Sequence, residues 1–303
     1  MKNPVVLVTG ASGLVGTHVV NEIVKMGCQK VIAQCRNAPS TLPNSVVKLS
    51  LDLASPSAVD TIRKLKPELI VHCAASVPGI KSDDEAATVN RKIDDAIFKA
   101  AHAINAPVIF CSSVSLYYGL PTPWFEDVVL SPCTPYAMAK LESELLFSGL
   151  KQGSAILRIS SPYGSTHQDR RGVLYTFVRS VLSGTDISVY GSGQRTQDFI
   201  HALDIAKAIV IFIKRWDTSR TFLYTGVFNV GSGQPVTMEA LARMVIEKSL
   251  STSRLLLDAG EDAQDDFRSY LDISKIKKTI GWSPETSLEC GIEALINSTR
   301  TLR

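Results

Sequence analysis

The sequence contains no Cys-x-x-Cys pair and no His-x-x-x-His spacing, which argues against a zinc site. It lacks a charge surplus: 32 basic residues face 29 acidic ones, a net +3. So small an excess supplies no broad electropositive face for nucleic acid or a membrane surface, though it leaves room for a local basic pocket around a phosphorylated ligand. No internal repeat and no low-complexity tract is present. No signal-peptide pattern precedes the first apolar run, Val5-Val6-Leu7-Val8. One uncharged stretch, 103–125, is long enough to cross a bilayer, but Pro107, Pro121 and Pro123 and a run of serines argue against a membrane helix. The expectation is a soluble, cytoplasmic protein with reduced thiols, in which four of the six cysteines act as small core residues.

What is present is globular: 45% apolar and 20% charged residues over 303 positions. That length suits one large domain or two closely joined ones. The first half alternates β-branched runs with helix-period segments. Strands are predicted at 5–8, 31–33, 46–49, 69–71, 108–110 and 155–157, and helices at 14–26, 56–65, 86–104 and 136–150. Ser55 and Pro56 are read as opening the second helix. This order predicts an α/β fold with a doubly wound parallel sheet. Beyond residue 165 the rhythm loosens. Helices are expected at 173–182, 204–215, 238–249, 273–280 and 288–300, with strands at 187–190 and 228–230. The acidic cluster Glu261, Asp262, Asp265 and Asp266 reads as a solvated loop.

The turn Thr9-Gly10-Ala11-Ser12-Gly13-Leu14-Val15-Gly16 joins the first strand to the first helix. Gly10 permits the tight turn, Gly13 lets a pyrophosphate approach the backbone, and Gly16 lets the helix close on the sheet. The helix N-terminus then offers N–H groups and partial positive charge to phosphates. A carboxylate at the end of the second strand would hold the adenosine ribose of NAD. The chain has Gln34-Cys35-Arg36-Asn37 there instead. Arg36 suits a 2′-phosphate, so NADP(H) is favoured, with NAD(H) as the alternative. Asp52 is placed for an adenine amino group, or to cap the next helix.

Tyr136-Ala137-Met138-Ala139-Lys140 places a phenol and an amine on one helical face. A free phenol ionises near pH ~10, and a neighbouring ammonium favours the phenolate. Such a pair can pass a proton to or from a carbinol oxygen. Ser113, just beyond the strand ending Phe110-Cys111, is positioned to hydrogen-bond the same oxygen. His72, at the end of a buried strand, reads as a satisfied structural histidine.

Taken in order, the 9–16 turn, Ser112-Ser113 ahead of Tyr117, and the Tyr136/Lys140 pair resemble the extended short-chain dehydrogenase/reductases, the NAD-dependent epimerase/dehydratase group. His72-Cys73-Ala74-Ala75, Asn90, Leu157-Arg158, Pro162-Tyr163-Gly164, Asp198-Phe199-Ile200-His201, Phe228-Asn229-Val230-Gly231 and Gly281-Trp282-Ser283-Pro284 resemble later family landmarks. The resemblance implies a Rossmann domain over 1–165 to which 192–230 returns. A smaller C-terminal α/β substrate lobe would comprise 166–191 and 231–303.

It also implies Ser113, Tyr136 and Lys140 as catalytic residues. Gly10, Ser12, Gly13, Leu14, Val15, Arg36, Asn37, Asp52, Leu53, Cys73, Ala74, Ala75, Asn90 and Pro162 would join Tyr136 and Lys140 at the cofactor. Ser113, Ser161, His167, Arg195 and Gln197 would face a nucleotide-diphosphate sugar, and a homodimer is implied. Ser161 stands where many members carry asparagine, and Gln197 where many carry arginine, with Arg195 an alternative ligand for a diphosphate. The loop from Ser113 to Gly119 is spaced as in dTDP-4-dehydrorhamnose reductases. The expected reaction is therefore reduction of a 4-keto-deoxy sugar. A 4-epimerase retaining NAD is the rival, and a non-catalytic dinucleotide sensor is the reading from another class.

Overall fold

The apolar runs of the first half assemble into a parallel sheet covered on both faces. The computed structural model describes residues 4–28, 30–37, 42–79, 81–165, 172–219, 221–222 and 224–301. The chain runs β1 (Val5–Thr9), α1 (Leu14–Met26), β2 (Lys30–Cys35), β3 (Val47–Ser50), α2 (Ala58–Leu65), β4 (Leu69–His72), α3 (Asp83–Ile104) and β5 (Val108–Ser113). It continues with α4 (Pro135–Ser148), β6 (Ser154–Ile159), β7 (Ser161–Tyr163), α5 (Val173–Leu182), β8 (Ile187–Ser188), β9 (Thr196–His201) and α6 (Ala202–Ser219). The last part holds β10 (Gly226–Val230), β11 (Pro235–Thr237), α7 (Met238–Ser249), β12 (Leu255–Leu256), α8 (Ser274–Ile280) and α9 (Leu288–Thr301).

Seven strands pair in the order β10-β6-β5-β4-β1-β2-β3, all parallel. Side chains alternate between the faces. Val6, Val8, Val71 and Leu157 pack with residues of α1 and α6. Leu7, Ile70, Phe110 and Ile156 pack with residues of α2 and α3 and with Phe147 of α4. This double burial explains why these strands read as continuous apolar runs. The strand order reverses between β1 and β4, so a crevice opens at the carboxyl ends of the central strands, where ligands of such sheets sit.

A second lobe stands over that end. Its core joins α5, α7 and α9 to β8 and β9 through Phe177, Ile187, Phe199, Leu241 and Ile292. β9 pairs antiparallel with β11 and parallel with β7. Its anchor is Asp198, fully buried, which accepts from the Ser232 amide and hydroxyl (both 2.7 Å), the Gly233 amide (3.0 Å), the Leu271 amide (3.3 Å) and the Ser160 hydroxyl (3.2 Å). One carboxylate thereby ties β9 to two later loops.

Several sequence expectations are corrected. Ser112 and Ser113 lie inside β5, opposite Arg158 and Ile159 of β6, rather than beyond it. α2 starts at Ala58, with Ser57 rather than Ser55 at its cap position and no side-chain cap bond. Residues 196–201 form β9 in the three-stranded sheet, whereas β10 joins the seven-stranded sheet and α6 packs into its core. In the other direction, Ile276, Ile280 and Trp282 pack into the core of the large sheet. The acidic cluster is not wholly solvated: Asp262 pairs with Arg195 at 3.1 Å and Asp265 accepts from the Ser192 amide at 2.9 Å.

A polar chain crosses the sheet's outer strands. Glu144 of α4 accepts from the Ser112 hydroxyl (2.6 Å) and from Arg158 (2.8 Å), whose Nη1 donates to the Tyr117 hydroxyl (2.8 Å). Tyr117 in turn donates to Asn229 of β10 at 2.7 Å. Burial pushes the Tyr117 phenol up to about 12, so it remains a donor. Arg158→Met would leave Glu144, 3% exposed, without its counter-charge. The expected loss in urea unfolding is about 3–5 kcal/mol, the cost of breaking a buried pair from one side.

Candidate active site

The glycine turn is built by close approaches. Gly10 has φ +63°, and a Cβ there would meet the Ala74 backbone at 2.7 Å. A Cβ on Gly16 would lie 2.2 Å from the Gly10 carbonyl oxygen. The turn is therefore wedged between α1 and the segment leaving β4. Gln34 clamps it from the side, accepting from the Gly10 amide (3.0 Å) and donating to the Leu51 carbonyl (2.6 Å). Gly13 occupies the N-cap of α1 and supplies no side-chain cap, and the first turn holds no acidic residue. An anion meets that helix end unopposed.

Arg36 and Asn37 are exposed beyond β2, and no carboxylate stands among residues 34–37. The Arg36 carbonyl accepts from Ser50 at 2.7 Å. Asp52 is exposed and accepts from the Ala54 amide at 3.0 Å, while Leu53 points into the core. Asn90, fully buried, grips Ser76 reciprocally: Oδ1 accepts from its amide (2.8 Å) and Nδ2 donates to its carbonyl (2.9 Å). That grip holds the Cys73-Ala74-Ala75 strip against the glycine turn. The Cys73 and Cys111 thiols lie side by side, 3.5 Å apart, at the ends of β4 and β5.

Tyr136 and Lys140 occupy the start of α4, where the Thr134 hydroxyl accepts from the Ala137 amide and Pro135 opens the helix. Asp83, at the first turn of α3, accepts from the Tyr136 amide at 3.1 Å. Tyr136 is 9% exposed and Lys140 only 1%. The Lys140 ammonium lies 4.5 Å from the Phe110 ring centroid and 3.9 Å from Asp94. No hydrogen-bond partner for its Nζ exists among the described residues. Ser113 is half-buried at the end of β5 and accepts from the Ser115 amide at 3.1 Å.

Asp94 escaped the sequence reading, although a charged residue one turn beyond Asn90 on an otherwise apolar stripe of α3 was a visible signal. Its Oδ1 lies 2.8 Å from His72 Nε2, and its Oδ2 accepts from Ser143 at 2.6 Å. Burial raises its carboxyl, but the Lys140 charge and the His72 and Ser143 contacts outweigh that and hold it below the usual range. His72 itself, fully buried, has both ring nitrogens engaged.

On the second lobe, Ser161 is half-buried on β7 and Pro162 exposed beside it. The Gln197 side-chain oxygen is buried without a hydrogen-bond partner among the described residues. Arg195 is held by Asp262 and donates to Gln264 at 2.9 Å. His167 lies outside the described residues.

The sequence profile of the NAD dependent epimerase/dehydratase family matches residues 6–231. The chain belongs to that family. Its relatives span both reaction types of the group. A putative UDP-glucose 4-epimerase of Methanocaldococcus jannaschii is 24% identical, covering 96% of this chain and 97% of its own. A dTDP-4-dehydro-6-deoxyglucose reductase of Escherichia coli is 26% identical, with 97% of each chain covered. The solved UDP-glucose 4-epimerase of Thermus thermophilus, in complex with NAD, superposes with a TM-score of 0.82 at 24% identity, over 98% of this chain and 99% of its own.

The residues present fit the dinucleotide of this family on two counts. The N-terminus of α1 has a glycine cap with no side-chain bond and no acidic residue in its first turn, and Lys140 carries buried donors for which no described residue is an acceptor.

Two outcomes follow. Gly16→Ala must displace α1 from the turn, costing about 1–3 kcal/mol of stability and weakening dinucleotide binding, both readable by denaturant and fluorescence titration. Asp94, with its folded pKa below the unfolded one, stabilises the fold above the unfolded value near ~3.9 and loses that contribution as pH falls through the folded one. The melting-temperature gap between wild type and Asp94→Asn should therefore narrow as pH drops below about 4.

Proposed function

We propose that this chain is an NADP(H)-dependent oxidoreductase that reduces the keto group of a nucleotide-diphosphate 4-keto-deoxy sugar. The observation that carries the reading is the buried Lys140 ammonium, without a hydrogen-bond acceptor among the described residues, one helical turn from a buried Tyr136 at the crevice of the sheet. The dinucleotide, when bound, supplies the hydride.

The glycine turn and the N-terminus of α1 bind its phosphates, with Leu14 and Val15 in the first helical turn. Ala74 and Ala75 form the wall opposite, held by Asn90. Arg36 takes the 2′-phosphate, which favours NADP(H). Lys140 binds the nicotinamide ribose and supports Tyr136 electrostatically. Tyr136 gives its hydroxyl proton to the substrate's carbonyl oxygen as the carbon becomes an alcohol. Ser113 donates a hydrogen bond to the same oxygen and orients it. Ser161, Gln197 and Arg195 face the nucleotide-sugar, with its diphosphate competing with Asp262 for Arg195.

The relatives, which act on nucleotide sugars by name, support the substrate class. The two epimerases among them favour a second reading: C4 oxidation, rotation of the keto sugar and return of hydride to its other face, with NAD retained. Stoichiometry separates the two, since a reductase consumes NADPH mole for mole and an epimerase has no net consumption. A sensor without turnover is the third outcome.

Tyr136→Phe should lower kcat by about 10²–10⁴-fold while dinucleotide binding persists; unchanged turnover would remove Tyr136 from the chemistry. Arg36→Ala should weaken NADPH binding about tenfold or more and leave NADH nearly unaffected. Equal affinity of the wild type for both dinucleotides would overturn the NADP(H) preference.

A further inference from the structure

We propose that Asp94 is a positioning residue for Lys140, holding its ammonium at the floor of the crevice by charge alone and leaving its N–H donors for the ligand. The inference rests on the reading of Lys140 as a dinucleotide-binding residue and deepens it.

The donor directions along the chain of contacts decide what Asp94 must be. The Thr9 hydroxyl accepts from the Ala74 amide at 3.3 Å and pairs with His72 Nδ1 at 2.6 Å. The other ring nitrogen, Nε2, lies 2.8 Å from Asp94 Oδ1, where a ring N–H donates to a carboxylate. The Ser143 hydroxyl lies 2.6 Å from Oδ2 and 2.8 Å from the Ala139 carbonyl, and of these two acceptors a carboxylate is the stronger for its single proton. Both partners of the carboxyl are donors, and the arrangement suits an anion. The ammonium that a described contact brings to it is Lys140, 3.9 Å away.

The spacing then separates a structural ion pair from a positioning one. At 3.9 Å, Nζ and Oδ2 attract strongly in a site where both side chains are 1% exposed, yet the distance exceeds a hydrogen bond. Glu144, on the next turn of the same helix, instead closes on Arg158 at 2.8 Å, within hydrogen-bond range. His72 and Ser143 each engage one oxygen of the Asp94 carboxyl, and with those contacts made its Oδ2 stands outside hydrogen-bond range of the ammonium. The Phe110 ring closes the remaining side of the ammonium. Lys140 is thus fixed in place while its donors stay available to hydroxyl groups entering from the crevice.

The test is a double-mutant cycle on dinucleotide affinity, read from the fluorescence of NADPH and NADH titrated into wild type, Asp94→Asn, Lys140→Met and the double variant. Asp94→Asn should weaken binding about tenfold in the wild-type background and less than about twofold beside Lys140→Met. An equal loss in both backgrounds, or no loss in either, overturns the proposal, because a purely structural carboxylate acts without Lys140. Failure of the wild type to bind either dinucleotide is a different result: it removes the parent reading of Lys140.

Melting temperatures give the second measurement. Lys140→Met strands a buried charge and should lower the melting temperature, and adding Asp94→Asn should raise it again. If Asp94→Asn alone does not fold, that comparison decides: a double variant melting no higher than Lys140→Met overturns the pairing.

Discussion

A lysine ammonium placed at 1% exposure has to be held by the protein around it, and much of the site's construction follows from that constraint. Water is gone, so the charge needs a partner. Asp94 provides it from α3, and Asp94 is itself kept anionic by a donor from β4 and another from α4. β1 enters through Thr9, whose hydroxyl links the glycine-turn strand to His72. The crevice is thus assembled from four elements that share one run of polar contacts, and none of the four places Lys140 alone.

Helix α4 shows how burial and bonding divide labour. Tyr136, Lys140, Glu144 and Phe147 lie on one face, and all are buried. Glu144 is fully committed to Arg158 and Ser112, so it fastens α4 to β5 and β6. The Lys140 ammonium, one turn earlier, has no hydrogen-bond partner among the described residues. A saturated polar group stiffens a fold, whereas an unsaturated buried one has a cost that a ligand can relieve. That difference separates the two ends of the helix, with the unsaturated group in its N-terminal half.

The same logic bears on the second lobe. Asp198 takes donors from three other parts of the chain and makes β9 a fixed platform. Beside it on that strand, the Gln197 oxygen is buried without a partner among the described residues. Arg195, at the strand's entrance, is paired with Asp262.

Strand and helix identity in the first half was legible because period and double burial are local signals: 14–26 reads as a helix and folds as one. The 173–182 and 238–249 helices were equally clear. β9 was not, since Thr196-Gln197-Asp198 is polar and becomes a strand only through pairing with β7 and β11. Asp94 was missed for a related reason: its partners lie 22 and 49 residues away. By itself the sequence determined the order of elements, the glycine turn and the helical spacing of Tyr136 and Lys140, all set by neighbours within a few residues. Only the tertiary structure decided which charges are buried together and which buried donor is left without an acceptor, because burial and ion pairing depend on distant segments meeting in space.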